Sequence, residues 1–251
     1  MASPADDATM SAPRSWPQLP GGVGISHVRV YDTVGPDGLA GGTPHLHTVC
    51  TEAYLVIAGT GEVQTLSSEG FRATPLEAGV TVWFSPGTVH RLVNQGGLEL
   101  FVVMSNAGLP EAGDLVVAFD TATLRTPEGY AEAWALDPST TRRDRAVDAF
   151  AGWRALVEAD PVGGMAALHR CCAAIVGPRS AGWSDVVEHS ATAASRTAHA
   201  HVAAMAAGDI SHLAEALVVA QPVIDHDRRW GCCGTLGVVQ PPPAPVSAVR
   251  R

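Results

Sequence analysis

The sequence predicts two architectures in one chain of 251 residues: an antiparallel β-sandwich or barrel, then a mainly α-helical region. Three observations predict this. From Val23 to about Phe119, short apolar runs alternate with turns rich in Gly and Pro, the signature of many short strands. Near Pro138 the apolar spacing changes to that of helices. The charge divides at the same place: residues 1–120 hold 4 Arg against 12 Asp and Glu, a net of −8, and residues 121–251 hold 12 Arg against 13 acids, a net of −1.

Residues 1–20 are rich in Pro, Ser and Ala, carry Asp6 and Asp7, and contain no apolar core. They read as a disordered leader rather than a signal peptide, and the expected compartment is the reducing cytoplasm. The barrel is expected over 21–125. Its strands are the runs VGISHVRVY, TEAYLVIAG, EVQTL, TVWFS, RLVN, LELFVVM and DLVVAF, separated by turns such as Gly-Pro-Asp-Gly, Glu-Ala-Gly and Asn-Gln-Gly-Gly.

The helical region spans 138–239. Thr141 offers an N-cap with Asp144 three residues on. Ala146, Phe150, Trp153 and Val157 then follow at helical spacing, and Met165, Leu168, Cys172 and Ile175 repeat the pattern up to Gly177-Pro178. An Ala-rich stretch from Trp183 to Ala207 reads as a third helix ended by Gly208. Asp209 caps a fourth, with Ile210, Leu213 and Leu217 on one face. Trp230 to Val239 reads as one more strand, and 240–251, with three consecutive prolines, as a tail. The apolar stripes must be buried against the barrel or a second copy, and a homodimer is expected. Arg142, Arg143 and Arg145 read as a solvated first turn. Trp153, Trp183 and Trp230 read as core.

Composition excludes several classes. With 46% hydrophobic and 16% charged residues the chain is not intrinsically disordered. No apolar run reaches the 18 or so residues of a membrane span. A net charge of −9, with no basic recognition helix, argues against nucleic acid. Five Cys, an odd number without Cys-x-x-Cys spacing, read as small buried residues.

The chemistry concentrates in GGTPHLHTVCTEAYLVIAG, residues 41–59. In a strand, residues two apart share a face, so His45 and His47 aim two imidazoles into one volume. A turn over Thr48 to Thr51 brings back Glu52, which shares its face with Tyr54 and Val56. Two imidazoles and a carboxylate suit a first-row transition metal with open positions. SPGTVHRLVN supplies a third imidazole, His90, on the same face as Leu92 and Asn94. By contrast, His199-x-His201 lies in a helical stretch where residues two apart diverge. It reads, with His189, His212 and His226, as surface or partly buried.

The spacing His45-x-His47-x4-Glu52-x6-Gly59, followed by GVTVWFSPGTVHRLVN, resembles the two signature motifs of the cupins. Ser85 stands where the second motif usually has Pro, and the Gly usually six residues before the first His is absent. The resemblance covers about residues 20–120. It implies a small antiparallel jelly-roll barrel and a metal held by His45, His47, Glu52 and His90.

The expected function is that of a metal-dependent enzyme with one divalent transition metal (Fe, Mn, Ni or Zn) acting on a small organic substrate. The leading reading is a dioxygenase. An isomerase, epimerase, lyase or cyclase is the alternative, and a non-catalytic ligand-binding protein the second alternative. Glu52 is the expected proton shuttle. Tyr54, Val56, Leu92 and Asn94, with Trp83 or Phe84, are the expected substrate-facing residues. No nucleic-acid or membrane partner is expected.

Overall fold

The computed structural model describes residues 19–216, 218–220, 223 and 225–239. The leader up to residue 18, Leu217 and the tail from 240 lie outside the described residues. The strands are β1 (Gly24–Val30), β2 (His45–His47), β3 (Glu52–Ser67), β4 (Gly70–Glu77), β5 (Thr81–Phe84), β6 (Val89–Met104), β7 (Leu115–Val117), β8 (Arg229–Trp230) and β9 (Gly234–Val238). All pairings are antiparallel. The main path runs β4-β3-β6-β1-β9-β8, with β5 beside β3, and β2 between β6 and β7.

β3 and β6 are the two long strands, paired from Glu52↔Met104 to Leu66↔Val89. Their register shifts between Val56 and Gly61, and there β3 changes partner from β5 to β4. Gly59 sits in this bend at φ +74°, and a Cβ there would overlap the Gly97 carbonyl, so only glycine fits. Side chains alternate as a half-buried strand requires. Glu52, Tyr54 and Val56 are buried, and Leu55 and Ile57, of the opposite parity, are exposed. The expected register is the observed one.

The helices are α1 (Pro127–Trp134), α2 (Thr141–Ala159), α3 (Pro161–Val176), α4 (Trp183–Val187) and α5 (Ala193–Ala206). Every predicted stripe residue of α2 and α3 is buried, and the two helices cover the barrel. Phe150 meets Phe71 of β4 at 6.5 Å between ring centroids, and Trp153 Nε1 donates to the Phe119 carbonyl at 2.7 Å. Asp160 caps α3 by accepting from Gly163 N. The Ala-rich run is helical from Trp183 to Ala206 through a wide turn at Glu188–Thr192, and Gly208 lies just beyond it at φ +74°.

Several expectations are corrected. Arg142 and Arg143 are buried, not solvated. Arg143 donates to the carbonyls of Thr33 and Val34, and Arg142 stacks 4.4 Å from the Trp134 ring and donates to its carbonyl. A guanidinium can be buried where carbonyls and a ring face meet most of its donors, although Arg142 Nε is buried without a hydrogen-bond partner; sequence spacing does not carry this. Thr141 is not the N-cap. The turn before α2 is held by Asp137, whose Oδ1 accepts from the amides and hydroxyls of both Ser139 and Thr140. Asp209 does cap Ser211 N, but the segment after it forms a single 3-10 turn, Ser211–Glu215, with Ile210 and Leu213 exposed. Trp230 is 61% exposed and stacks on Tyr31. The strand at Trp230–Val239 is a hairpin, β8–β9, added to the barrel beside β1. α5 buries no residue.

Trp153→Ala is expected to lower unfolding free energy by about 3–5 kcal/mol, because it removes a buried ring and leaves the Phe119 carbonyl without its donor. Urea denaturation followed by circular dichroism checks this.

Candidate metal centre

Three strands deliver four side chains to one point. β2 carries His45 and His47 on one face, and His45 lies directly across from His90 of β6. Glu52 opens β3 after a tight connection over residues 48–51. That connection is organised by Asp114, just before β7. Its carboxylate accepts from Thr48 N (2.9 Å), Thr48 Oγ1 (2.6 Å), Val49 N (2.7 Å) and Cys50 N (3.0 Å). Consecutive amides pointing at one carboxylate make an anion cradle, here filled by the chain itself.

The donor atoms of His45, His47, Glu52 and His90 all lie within 4.8 Å of one another. His90 Nε2 is 3.1 Å from His45 Nε2 and 3.1 Å from Glu52 Oε2, and His47 Nε2 is 3.5 Å from Glu52 Oε2. The four residues are between 0% and 5% exposed. The other ring nitrogens face outward. His45 Nδ1 is 2.8 Å from the Thr43 carbonyl, His90 Nδ1 is 3.1 Å from the Thr88 carbonyl, and His47 Nδ1 is 3.1 Å from Asp114 Oδ2.

These partners fix the tautomers. A carbonyl or carboxylate oxygen only accepts, so each Nδ1 carries a proton, and the neutral form of each ring presents a bare Nε2 lone pair. Three lone pairs and a carboxylate then converge in a space closed to water. Two bare nitrogens 3.1 Å apart cannot hydrogen-bond each other, and Glu52 Oε2, though buried, has no hydrogen-bond partner. A cation is the group that satisfies such a set, and the cluster could hold a metal ion.

Electrostatics point the same way. Burial, reinforced by the neighbouring His90 and His47, keeps the His45 imidazole well below its usual pKa, hence neutral. Burial raises the Glu52 carboxyl, and positive charge on the neighbouring imidazoles of His90, His47 and His45 lowers it, to about 2 on balance; with the rings neutral, that positive charge would have to come from a bound cation. Burial also opposes ionisation of Asp114, yet hydrogen bonds from His47 and Thr48 hold it far below the usual carboxylate range.

The other expected site residues divide. Tyr54 is fully buried, its ring 6.1 Å from that of His90. Burial pushes its hydroxyl up, so it stays protonated. Phe84, rather than Trp83, faces the cluster: its ring is 4.3 Å from that of His90, while Trp83 is 70% exposed. Val56 and Leu92 are packed into the core. Asn94 lies four residues beyond His90 on β6. Its amide donates to the carbonyls of Val30 and Tyr31, and its Oδ1 accepts from Gly96 N and Leu98 N, so the side chain serves the backbone. Two residues near the centre carry no sequence signal: Asp114, read only as the head of an apolar run, and Cys233, whose Sγ lies 4.0 Å from His45 Nε2. Both are distant in sequence.

The family model described as "Cupin domain" matches residues 31–104. The barrel segment of this chain is a cupin domain, followed by a helical C-terminal region. No curated protein matches the chain. Among solved structures it is similar to an uncharacterized conserved protein with a double-stranded β-helix domain from Klebsiella pneumoniae (21% identity, 38% of this chain and 71% of that one, TM-score 0.28). It is also similar to an oxalate oxidase (25% identity, 33% and 40%, TM-score 0.27) and to a TDP-fucose-3,4-ketoisomerase from Campylobacter jejuni (10% identity, 32% and 58%, TM-score 0.27). The chain thus spans less than two thirds of the last two.

Asp114→Asn is expected to weaken metal binding by about 10–100-fold, the usual effect of losing the group that orients a ligand imidazole. Competition with a chromophoric chelator measures it. His47→Ala combined with His90→Ala should remove most bound metal, and full occupancy in that double variant overturns the ligand set.

Proposed function

We propose that the protein is a metal-dependent cupin enzyme acting on a small organic substrate at a mononuclear centre of His45, His47, Glu52 and His90. The observation that carries this reading is the buried convergence of three bare Nε2 atoms and the partnerless Glu52 Oε2. A divalent first-row ion such as Fe, Mn, Ni or Zn would supply there a Lewis acid for substrate oxygens and, for a redox-active metal, a partner for O₂.

The residues of the chain supply the rest. Glu52 is ionised and lies at the centre, so it accepts a proton from a substrate C–H or O–H brought to the cluster. Tyr54, protonated and buried, donates a hydrogen bond to a substrate oxygen. Phe84 walls the cluster beside His90 and helps keep water out, which strengthens every electrostatic contact inside. These apolar, closed surroundings favour the dioxygenase reading, since reactive oxygen species survive only away from water. Glu52 and Tyr54 also place a base and an acid side by side, and that observation favours a metal-dependent isomerase or lyase as the second reading.

Removing metal with a chelator should abolish turnover under either reading. Glu52→Gln should keep part of the metal and lose turnover by about 100-fold or more, because the amide is no base. Oxygen separates the two. Turnover that stops under argon and consumes O₂ in air supports the dioxygenase. Unchanged turnover under argon, with product mass equal to substrate mass, replaces it with the isomerase.

A further inference from the structure

The hairpin β8–β9 brings a thiol to the metal centre from about 190 residues away in sequence. β9 is paired with β1 from Ser26↔Val238 to Val30↔Gly234. The turn that precedes it, Cys232-Cys233, is bonded into the barrel: Thr43 N donates to the Cys232 carbonyl at 2.7 Å and Tyr31 N to the Cys233 carbonyl at 3.4 Å. Gly42 makes the close approach feasible, since a Cβ there would stand 2.7 Å from Cys233 Cα. The turn is therefore seated on the residues that lead into the ligand strand β2. Cys233 is 6% exposed, with its Sγ 4.0 Å from His45 Nε2 and 3.6 Å from the Tyr54 hydroxyl.

We propose that Cys233 is a sulfur donor to the metal held by His45, His47, Glu52 and His90, so that the C-terminal hairpin completes the metal centre. This rests on the metal reading above. Three points support it. With metal–nitrogen bonds of about 2.0 Å and metal–sulfur bonds of about 2.3 Å, two donors on one ion stand about 3 Å apart at right angles and about 4.3 Å apart in line. The observed 4.0 Å to His45 Nε2 falls within that range; the sulfur stands outside the group of four donors that lie within 4.8 Å of one another, and rotation about its single side-chain bond, χ1, is the movement that would bring it onto the ion. Next, the thiol makes only long contacts. Cys50, also buried, gives its S–H to the Ser105 carbonyl at 3.0 Å, whereas the nearest hydrogen-bond partner of Cys233 is the Tyr54 hydroxyl at 3.6 Å. Finally, the partnerless Glu52 Oε2 independently marks a place built for a cation.

The charge balance is favourable. On binding, the Cys233 S–H proton leaves to water and the sulfur binds as thiolate. One thiolate and the Glu52 carboxylate then neutralise a divalent cation, leaving no net charge in a buried site. A thiolate also shifts preference from Mn towards softer ions such as Zn.

Cobalt(II) tests this with a readout independent of activity. Full-length protein is stripped of metal and titrated with cobalt(II) while its absorption is recorded. Visible d–d bands report occupancy of the centre. A sulfur-to-cobalt charge-transfer band in the near ultraviolet reports a thiolate ligand. The expected result is both signals in the wild type and in Cys232→Ser, with the charge-transfer band lost in Cys233→Ser. Visible bands without the charge-transfer band in the wild type, or a band that persists in Cys233→Ser, overturn the role of Cys233 and leave the metal centre standing. No visible bands in the wild type overturn both. Should Cys233→Ser fail to fold, X-ray absorption of the wild-type cobalt protein decides: one sulfur in the cobalt shell supports the proposal and none overturns it.

Discussion

The carboxylate of Asp114 is the interaction on which the site depends. It is fully buried, and a buried charge is costly unless every lone pair is met. Here the amides of Thr48, Val49 and Cys50, the Thr48 hydroxyl and His47 Nδ1 meet it. The first four shape the connection between the two strands that carry His47 and Glu52. The fifth turns the His47 ring so that Nε2 faces inward. β7 begins at the next residue and pairs with β2, so the same side chain also fixes the outer neighbour of the strand that carries His45 and His47.

The other two imidazoles are oriented more locally. His45 and His90 each present Nδ1 to the carbonyl two residues earlier, of Thr43 and Thr88. The approach to each strand thus aims its own imidazole, and the direction holds as long as the backbone does. His47 has no such carbonyl and takes its partner from Asp114. Three rings reach one orientation by two routes, and each turns its Nε2 into the cluster beside Glu52.

The helical half bears on the site from behind. α2 is joined to the barrel by Trp153 on the Phe119 carbonyl and by Arg143 on the Thr33 and Val34 carbonyls. α3 reaches the turn before His90, where His169 Nε2 donates to the Gly87 carbonyl at 2.8 Å. Between α3 and the barrel lies a cavity of about 450 Å³, lined by Leu46, Gly87 and Cys172 among others. Leu46 points away from His45 and His47 by strand alternation, so the cavity lies on the opposite face of the ligand strand. The helices therefore buttress β2 and the turn at Pro86-Gly87 without contributing one of the four converging donors.

The spacing of the four converging residues was legible in the sequence because it is local. Period-two alternation places His45 with His47 and Glu52 with Tyr54 whatever surrounds them, and the helical stripes of α2 and α3 arise from a period of 3.6 in the same way. Gly turns marked where strands end for a related reason: positive φ is a property of the residue itself. Pairings between distant segments were beyond the reach of the sequence. Asp114 reads as the first residue of an apolar run, Arg143 as a solvated charge, and Cys233 as a small apolar residue. Each owes its role to partners dozens to nearly two hundred residues away. Whether a buried charge or thiol is tolerated depends on the donors and acceptors that meet it, and only the folded chain brings those together.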